Sequence, residues 1–145
     1  MEHPDHNALR DLMARYVDGA NRRDARLWQS TWAEDARWSL MGMEVRGRDA
    51  ILAMWKQALQ AFEFALLLPS SGAFDVDGDH AEGHWYLQEL TRTHDGTGTC
   101  MISRYQDHYR RIDGNWLYQS REYTVIYSGP PDLSGQFNPP LPRQE

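Results

Sequence analysis

Near the start of the chain, apolar residues recur every three or four positions, which is the spacing that buries one face of a helix. These residues are Leu9, Leu12, Met13, Tyr16, Val17 and Ala20. The spacing predicts a first helix over residues 6–21, with Asn21 on the same face, four residues after Val17. This apolar face ends on a phenol and an amide, so the helix end is the first place to look for chemistry.

Residues 24–62 predict two more helices with a hairpin between them. Asp24 suits the N-cap of a second helix. The inner side of that helix would carry Leu27, Trp28, Thr31 and Trp32. Residues 33–47 predict a strand, a tight turn at Met41–Gly42 and a short return strand. A third helix is predicted from Asp49 to Phe62, because apolar residues recur there at helical spacing.

From Phe64 onward the pattern becomes strand-like. The predicted strand segments are 64–69, 72–76, 80–92, 97–112 and 115–128. Short glycine-containing turns join them, which predicts an antiparallel, strongly curved sheet and an α+β fold. Five of the seven prolines follow Ser128, so residues 129–145 are predicted to be a proline-rich tail, extended or frayed, beyond a domain of residues 1–128.

Composition narrows the class of protein. The chain has 145 residues, enough for one domain with a buried core, and its net charge of −6 argues against nucleic-acid binding. The lone Cys100 excludes an intramolecular disulfide. Neither a signal-peptide pattern nor an apolar run of membrane-spanning length occurs, so a cytoplasmic protein without membrane contact is expected. Six Trp and seven Tyr residues can fill a core or line a pocket for a flat organic ligand.

Metal and cofactor motifs are not found in the sequence. His80 and His84 are four residues apart on a predicted strand, where that spacing separates them by about 13 Å, so we expect surface histidines rather than metal ligands. Phosphate loops, dinucleotide fingerprints and nucleophile elbows are missing as well. We therefore expect no metal and no cofactor.

Five segments, taken in order, resemble SnoaL-like proteins of the nuclear-transport-factor-2-like superfamily. They are residues 15–38, 47–52, 77–90, 103–116 and 120–125, for example "GRDAIL" and "DGDHAEGHWYLQEL". The resemblance implies a cone, in which N-terminal helices pack inside a bent, mixed but mostly antiparallel sheet with a pocket at one end. It also implies a homodimer or a trimer, and cofactor-free proton transfer next to a carbonyl or leaving group. For a homodimer we expect exposed sheet residues such as Tyr86 and Tyr118.

The catalytic pair of the family's dehydratase-like members is missing. The resemblance implies an Asp at the end of the first helix, where this chain has Asn21, and a His at about Leu67 or Leu68. An amide cannot take a proton at neutral pH and an aliphatic side chain cannot act as a base. The inherited dehydratase mechanism is therefore not expected.

Strand alternation supplies substitutes on the face that the resemblance favours for the cone interior. These inward residues are Trp85, Leu87, Glu89, Met101, Ser103, Tyr105, Asp107, Gln119, Arg121 and Tyr123. A buried Glu89 or Asp107 would have a raised pKa and could act as a base. The alternative for Asp107 is a structural ion pair with Arg121 or Arg104.

The helix end completes the hypothetical site. Tyr16 and Asn21 would lie at the pocket mouth and, with Tyr123, hold a developing oxyanion. The alternative for Asn21 is that it only caps the helix. Trp38 is the aromatic residue most expected against a ligand, and the alternative for it is a purely core role. Two function classes stay open: a cofactor-free lyase or isomerase acting on a small hydrophobic molecule, and a non-catalytic pocket protein such as a carrier, sensor or assembly subunit.

Overall fold

The computed structural model describes residues 3–137, and its helices precede and pack against one curved sheet. The helices are α1 (Asp5–Asn21), α2 (Ala25–Gln29) and α3 (Arg48–Leu59). The strands are β1 (Trp32–Leu40), β2 (Met43–Arg46), β3 (Phe62–Asp77), β4 (His80–Thr93), β5 (Gly98–Ile112), β6 (Asn115–Gly129) and β7 (Gln136–Phe137). None of these helices has the length and apolar character needed to cross a membrane.

The sheet has the strand order β2-β1-β6-β5-β4-β3, and β7 pairs with β6. Every pairing is antiparallel except that of β1 with β6, which is parallel. Short turns connect β3 through β6, so those strands form a meander, whereas β1 reaches β6 across most of the chain. The predicted α+β cone with a mixed, mostly antiparallel sheet is confirmed.

The apolar face of α1 lies against the inner face of the sheet and is sealed by α2. Leu9, Leu12 and Met13 are fully buried there, as the helical spacing predicts. Gly19 lets α2 approach closely, because a Cβ atom at this position would lie 2.7 Å from the backbone nitrogen of Trp28. The side chain of Trp28 thereby lies under the end of α1, where both border a cavity.

Two predicted helix ends are wrong. The second helix ends at Gln29, and Trp32 instead starts β1, opposite Tyr118 of β6, because sheet pairing overrides the helical spacing. The third helix ends at Leu59, and Phe62 starts β3. The two strand segments predicted at 64–69 and 72–76 form one strand with a register shift between Pro69 and Ser71.

A bulge in β6 changes which residues face inward. Between His108 and Tyr109 the register with β6 shifts, so Tyr118 pairs with Tyr109 and Gln119 is the extra residue. Tyr118 is therefore fully buried, and the expectation that it is exposed is wrong. Tyr86 is partly exposed, and the homodimer stays a prediction.

The start of the proline-rich segment returns to the sheet. Gln136 pairs with Ser128, and the backbone N–H of Gly135 donates to the Tyr127 hydroxyl over 2.9 Å. Residues 138–145, the rest of the predicted tail, lie outside the described residues.

Candidate functional site

A cavity of about 340 Å³ lies between the end of α1, the helix α3 and the inner face of the sheet. Its lining is mainly apolar. The lining residues are Tyr16, Ala20, Asn21, Trp28, Trp38, Leu40, Met41, Trp55, Ala58, Leu59, Ala61, Phe62, Ala65, Leu66, Leu67, Glu89, Thr91, Met101, Tyr105 and Tyr123. This volume is at the lower end of the range of about 300–1,000 Å³ that is typical of small-molecule pockets.

Tryptophan rings form an aromatic wall of the cavity. Trp28 of α2 and Trp55 of α3 are stacked, with ring centroids 4.5 Å apart and an interplanar angle of 8°. Trp38 of β1 is inclined at 60° to Trp28, with centroids 5.6 Å apart. Three elements thus bring together flat apolar surfaces that suit the faces of a planar ligand.

Tyrosine hydroxyls and one carboxylate form a polar cluster in the lining, which also includes Asn21 and Thr91. The hydroxyls of Tyr16 and Tyr105 are 3.0 Å apart and share a hydrogen bond. The Tyr123 hydroxyl donates a short hydrogen bond to Glu89 Oε2, which joins β6 to β4 across β5. The rings of Tyr105 and Tyr123 are 5.2 Å apart between centroids, so the two hydrogen-bonded pairs are neighbours.

Burial sets the protonation states of this cluster. It raises the pKa of Glu89 above its usual value, and the hydrogen bond from Tyr123 opposes that rise. Burial also raises the pKa of Tyr16, and it raises the pKa of Tyr105 well above the ordinary value. The tyrosines therefore remain protonated at neutral pH and can donate hydrogen bonds, while Glu89 can exchange a proton near its raised pKa.

Both polar atoms of the Asn21 side chain are hydrogen-bonded to the backbone of Leu67. Its Nδ2 donates to the Leu67 carbonyl over 3.0 Å, and its Oδ1 accepts from the Leu67 N–H over 2.7 Å. The amide at the end of α1 thus binds β3, where it satisfies both polar groups of one strand residue. Of the two positions considered for the missing histidine, Leu67 borders the cavity beside Asn21, whereas Leu68 is 42% exposed and does not line it.

Asp107 lies in the core behind the cavity. Its carboxylate accepts from Arg121 Nε over 2.7 Å and from Nη2 over 3.0 Å, and the Tyr109 hydroxyl donates to it over 2.8 Å. Both charged side chains are fully buried. The Arg121 guanidinium lies 3.8 Å from the ring centroid of Tyr105 and 4.4 Å from that of Tyr16. Burial raises the pKa of Asp107, and the charge and hydrogen bonds of Arg121 oppose that rise.

The remaining predicted residues lie elsewhere. Trp85, Leu87 and Ser103 are buried in the sheet without lining the cavity. Gln119, at the bulge, donates instead to the Asp35 side chain over 3.3 Å. Of the predicted site residues, the cavity brings together Tyr16, Asn21, Trp38, Glu89, Tyr105 and Tyr123.

Trp28, Trp55 and Met41 line the cavity although the sequence pattern does not single them out for the site. The signal for the two tryptophans is present in the sequence, because both fall on the inner faces that helical spacing predicts for their helices. Within residues 3–137, no cluster of three His, Cys, Asp or Glu side chains is arranged to hold a metal ion.

Solved structures with the same fold span nearly the whole chain. A candidate scytalone dehydratase from Novosphingobium aromaticivorans has 19% identity and a TM-score of 0.82, with 97% of this chain and 95% of that chain covered. A LinA-type3 hexachlorocyclohexane dehydrochlorinase from Novosphingobium barchaimii has 20% identity and a TM-score of 0.81, with 94% and 95% covered.

A third similar structure is a Mycobacterium tuberculosis protein of unknown function, with 24% identity, a TM-score of 0.76, and 83% of this chain and 71% of that chain covered. No curated protein matches the chain. At these identities the structures establish a shared fold. The family model of the SnoaL-like domain matches residues 1–122. Because that match spans most of the chain, the protein belongs to the SnoaL-like domain family.

Proposed function

We propose that the protein is a lyase or isomerase that moves a proton next to the carbonyl of an uncharged, apolar organic molecule. The observation that carries the proposal is Glu89, a carboxylate with a raised pKa beside tyrosine hydroxyls in an otherwise apolar cavity. Two similar structures are named as a candidate dehydratase and a dehydrochlorinase, and both names denote eliminations, in which a proton is removed.

Glu89 is the proposed base. The resemblance implies an Asp where this chain has Asn21 and a His at about Leu67 or Leu68, so a base must come from another part of the lining. Burial makes the Glu89 carboxylate more basic, and the Tyr123 hydroxyl holds it in one orientation. Asp107 is excluded from this role in our proposal, because its oxygens are taken by Arg121 and Tyr109 away from the cavity.

One hydroxyl of the Tyr16–Tyr105 pair is the proposed oxyanion donor, because the other donates its single proton within the pair. Removing a proton next to a carbonyl leaves negative charge on the oxygen, and buried donors stabilise that charge strongly. The charge of Glu89 contributes to raising the pKa of both tyrosines, which indicates that the carboxylate and the hydroxyls are close enough to act on one small molecule.

Charge at the cavity favours an uncharged substrate. Within the described residues, Glu89 is the one lining side chain of the Asp, Glu, Lys, Arg or His type. A carboxylate or phosphate ligand would face Glu89 without a cation to pair with, because the nearby Arg121 is already neutralised by Asp107. We therefore infer a neutral ketone or a similar carbonyl compound.

The experiment follows deuterium exchange at the carbon next to the carbonyl of 2-tetralone, a neutral bicyclic ketone, by NMR in D2O. We expect the wild-type protein to accelerate exchange over buffer and Glu89→Gln to lose about 10² to 10⁴ of that acceleration. Glutamine can still accept from Tyr123, so the fold should remain. Glu82→Gln, at an exposed position of the same strand, is the matched control and should exchange like the wild type.

The second candidate function is ligand binding without catalysis. It is favoured by the amide of Asn21 and the aliphatic Leu67 or Leu68, where the resemblance implies an Asp and a His. Its outcome in the same experiment is distinct. Binding of 2-tetralone, seen as line broadening or shift, with no exchange above buffer would reject Glu89 as a base and support a carrier or sensor. Equal exchange rates with the wild type and with Glu89→Gln would also reject Glu89 as the base.

A further inference from the structure

The turn between β1 and β2 has a residue that its backbone does not favour. Leu40 pairs with Met43, so Met41 and Gly42 are the two turn residues. Their φ angles are 49° and 77°. Two positive φ values identify a type I′ turn, in which the first position prefers Asn, Asp or Gly. Glycine fits the second position, but methionine at the first is unfavourable because its Cβ crowds the backbone.

Packing within the protein does not account for Met41 either. Its side chain is 69% exposed, although methionine normally contributes to stability by being buried. Met41 nevertheless lines the cavity together with its neighbour Leu40. Met43, at the base of the same turn, is 49% exposed and does not line this cavity. The combination of strained backbone, exposure and position at the cavity points to a contact with a ligand.

We propose that Met41 is a specificity-determining residue that covers the apolar body of the bound molecule. This proposal rests on the proposed function only in requiring that the cavity hold an apolar ligand. A methionine side chain is unbranched and flexible, so it can adapt to a flat ring while the aromatic wall of stacked tryptophans stays fixed. Burying its exposed surface on binding supplies the free energy that favours large apolar ligands over small polar ones.

The test separates the turn from the ligand contact with matched variants. The probe is prodan, a neutral naphthalene ketone whose fluorescence reports transfer to an apolar site. In Met41→Asn the new residue suits the type I′ turn, so we expect a thermal midpoint a few degrees higher but prodan binding about tenfold weaker. Met41→Leu retains an apolar contact and should bind within about twofold of the wild type. Met43→Asn, the control, should leave affinity unchanged.

Each other outcome overturns the proposal. If Met41→Asn binds prodan as tightly as the wild type, the side chain does not contact the ligand. If Met43→Asn weakens binding equally, the effect is a general loss of apolar surface at the turn. If the wild type does not bind prodan, the cavity does not take this ligand class. The result is independent of catalysis, because a protein that binds prodan through Met41 and fails to exchange 2-tetralone refutes only the proposed reaction.

Discussion

Asp107 and Glu89 lie on neighbouring strands, on the same inward face, and each accepts a hydrogen bond from a tyrosine hydroxyl. They differ in one partner. Asp107 is held by the buried guanidinium of Arg121, whereas the contact made by Glu89 is with the neutral Tyr123. The comparison indicates that a cation opposite a carboxylate on this face fixes it in a structural ion pair, and that a carboxylate without one stays free for the reaction we propose.

The largest expected effect comes from breaking the buried ion pair of Asp107 and Arg121. Asp107→Asn leaves the Arg121 charge buried without a counter-charge, so we expect a loss of about 3–5 kcal/mol in the free energy of unfolding. Urea denaturation measures it, with Asp75→Asn, at an exposed position of β3, as the control. Replacing both partners, as Asp107→Leu with Arg121→Met, should recover much of the loss. A fully stable Asp107→Asn that lost 2-tetralone exchange would instead move Asp107 into the reaction.

A smaller effect tests whether Asn21, which lines the cavity, has a structural role as Asp107 does. In Asn21→Asp the carboxylate still accepts from the Leu67 N–H but faces the Leu67 carbonyl, which loses its donor. We expect a loss of about 1–3 kcal/mol at pH 7.

The pH dependence of this loss follows from the introduced carboxyl, which can donate to the carbonyl only when protonated. Its pKa is therefore raised in the folded state, so the loss is absent below the unfolded pKa of about 3.9 and grows as pH rises through the folded pKa. Urea unfolding at pH 4 and pH 7 measures it, with the exposed Asn7→Asp as control. Equal stability of Asn21→Asp and wild type at pH 7 would show that the amide is not needed by β3.

The smallest effect sharpens the description of Glu89. The Tyr123 hydroxyl stabilises the ionised carboxylate, so Tyr123→Phe should raise the pKa of Glu89 further. The base must be deprotonated to act, so exchange of 2-tetralone rises with pH through that pKa, and in Tyr123→Phe the midpoint should move to higher pH. Tyr86→Phe, on the other face of β4, is the control. An unmoved midpoint would show that another group titrates.

Local patterns predict the elements of this fold well. The three-and-four spacing locates α1 to within a residue, and the glycine-containing turns locate the meander. They miss the bulge near Gln119, because one extra residue in a strand changes the facing of its neighbours and is fixed by pairing with β5 rather than by local sequence. Tyr118 was placed on the wrong face for that reason.

The site is predicted less completely, because its chemistry depends on partners far apart in sequence. Alternation places Glu89 and Asp107 on one face but does not show which of them Arg121 reaches. Asn21 was expected at the cavity, yet its commitment to Leu67 depends on how α1 meets β3. Charge pairing and backbone contacts of this kind are set by the packed fold, so the sequence left both carboxylates open as bases.

The parallel pairing of β1 with β6 has a consequence for how the chain folds. During synthesis, β1 is made long before β6, and Trp32 and Trp38 must wait for Tyr118 and Arg121 to complete their pairing. Contacts between distant segments slow folding, and unpaired apolar strands are prone to aggregate meanwhile. The tryptophan-rich first third of the protein therefore stays without its parallel partner strand until β6, the last long strand, leaves the ribosome.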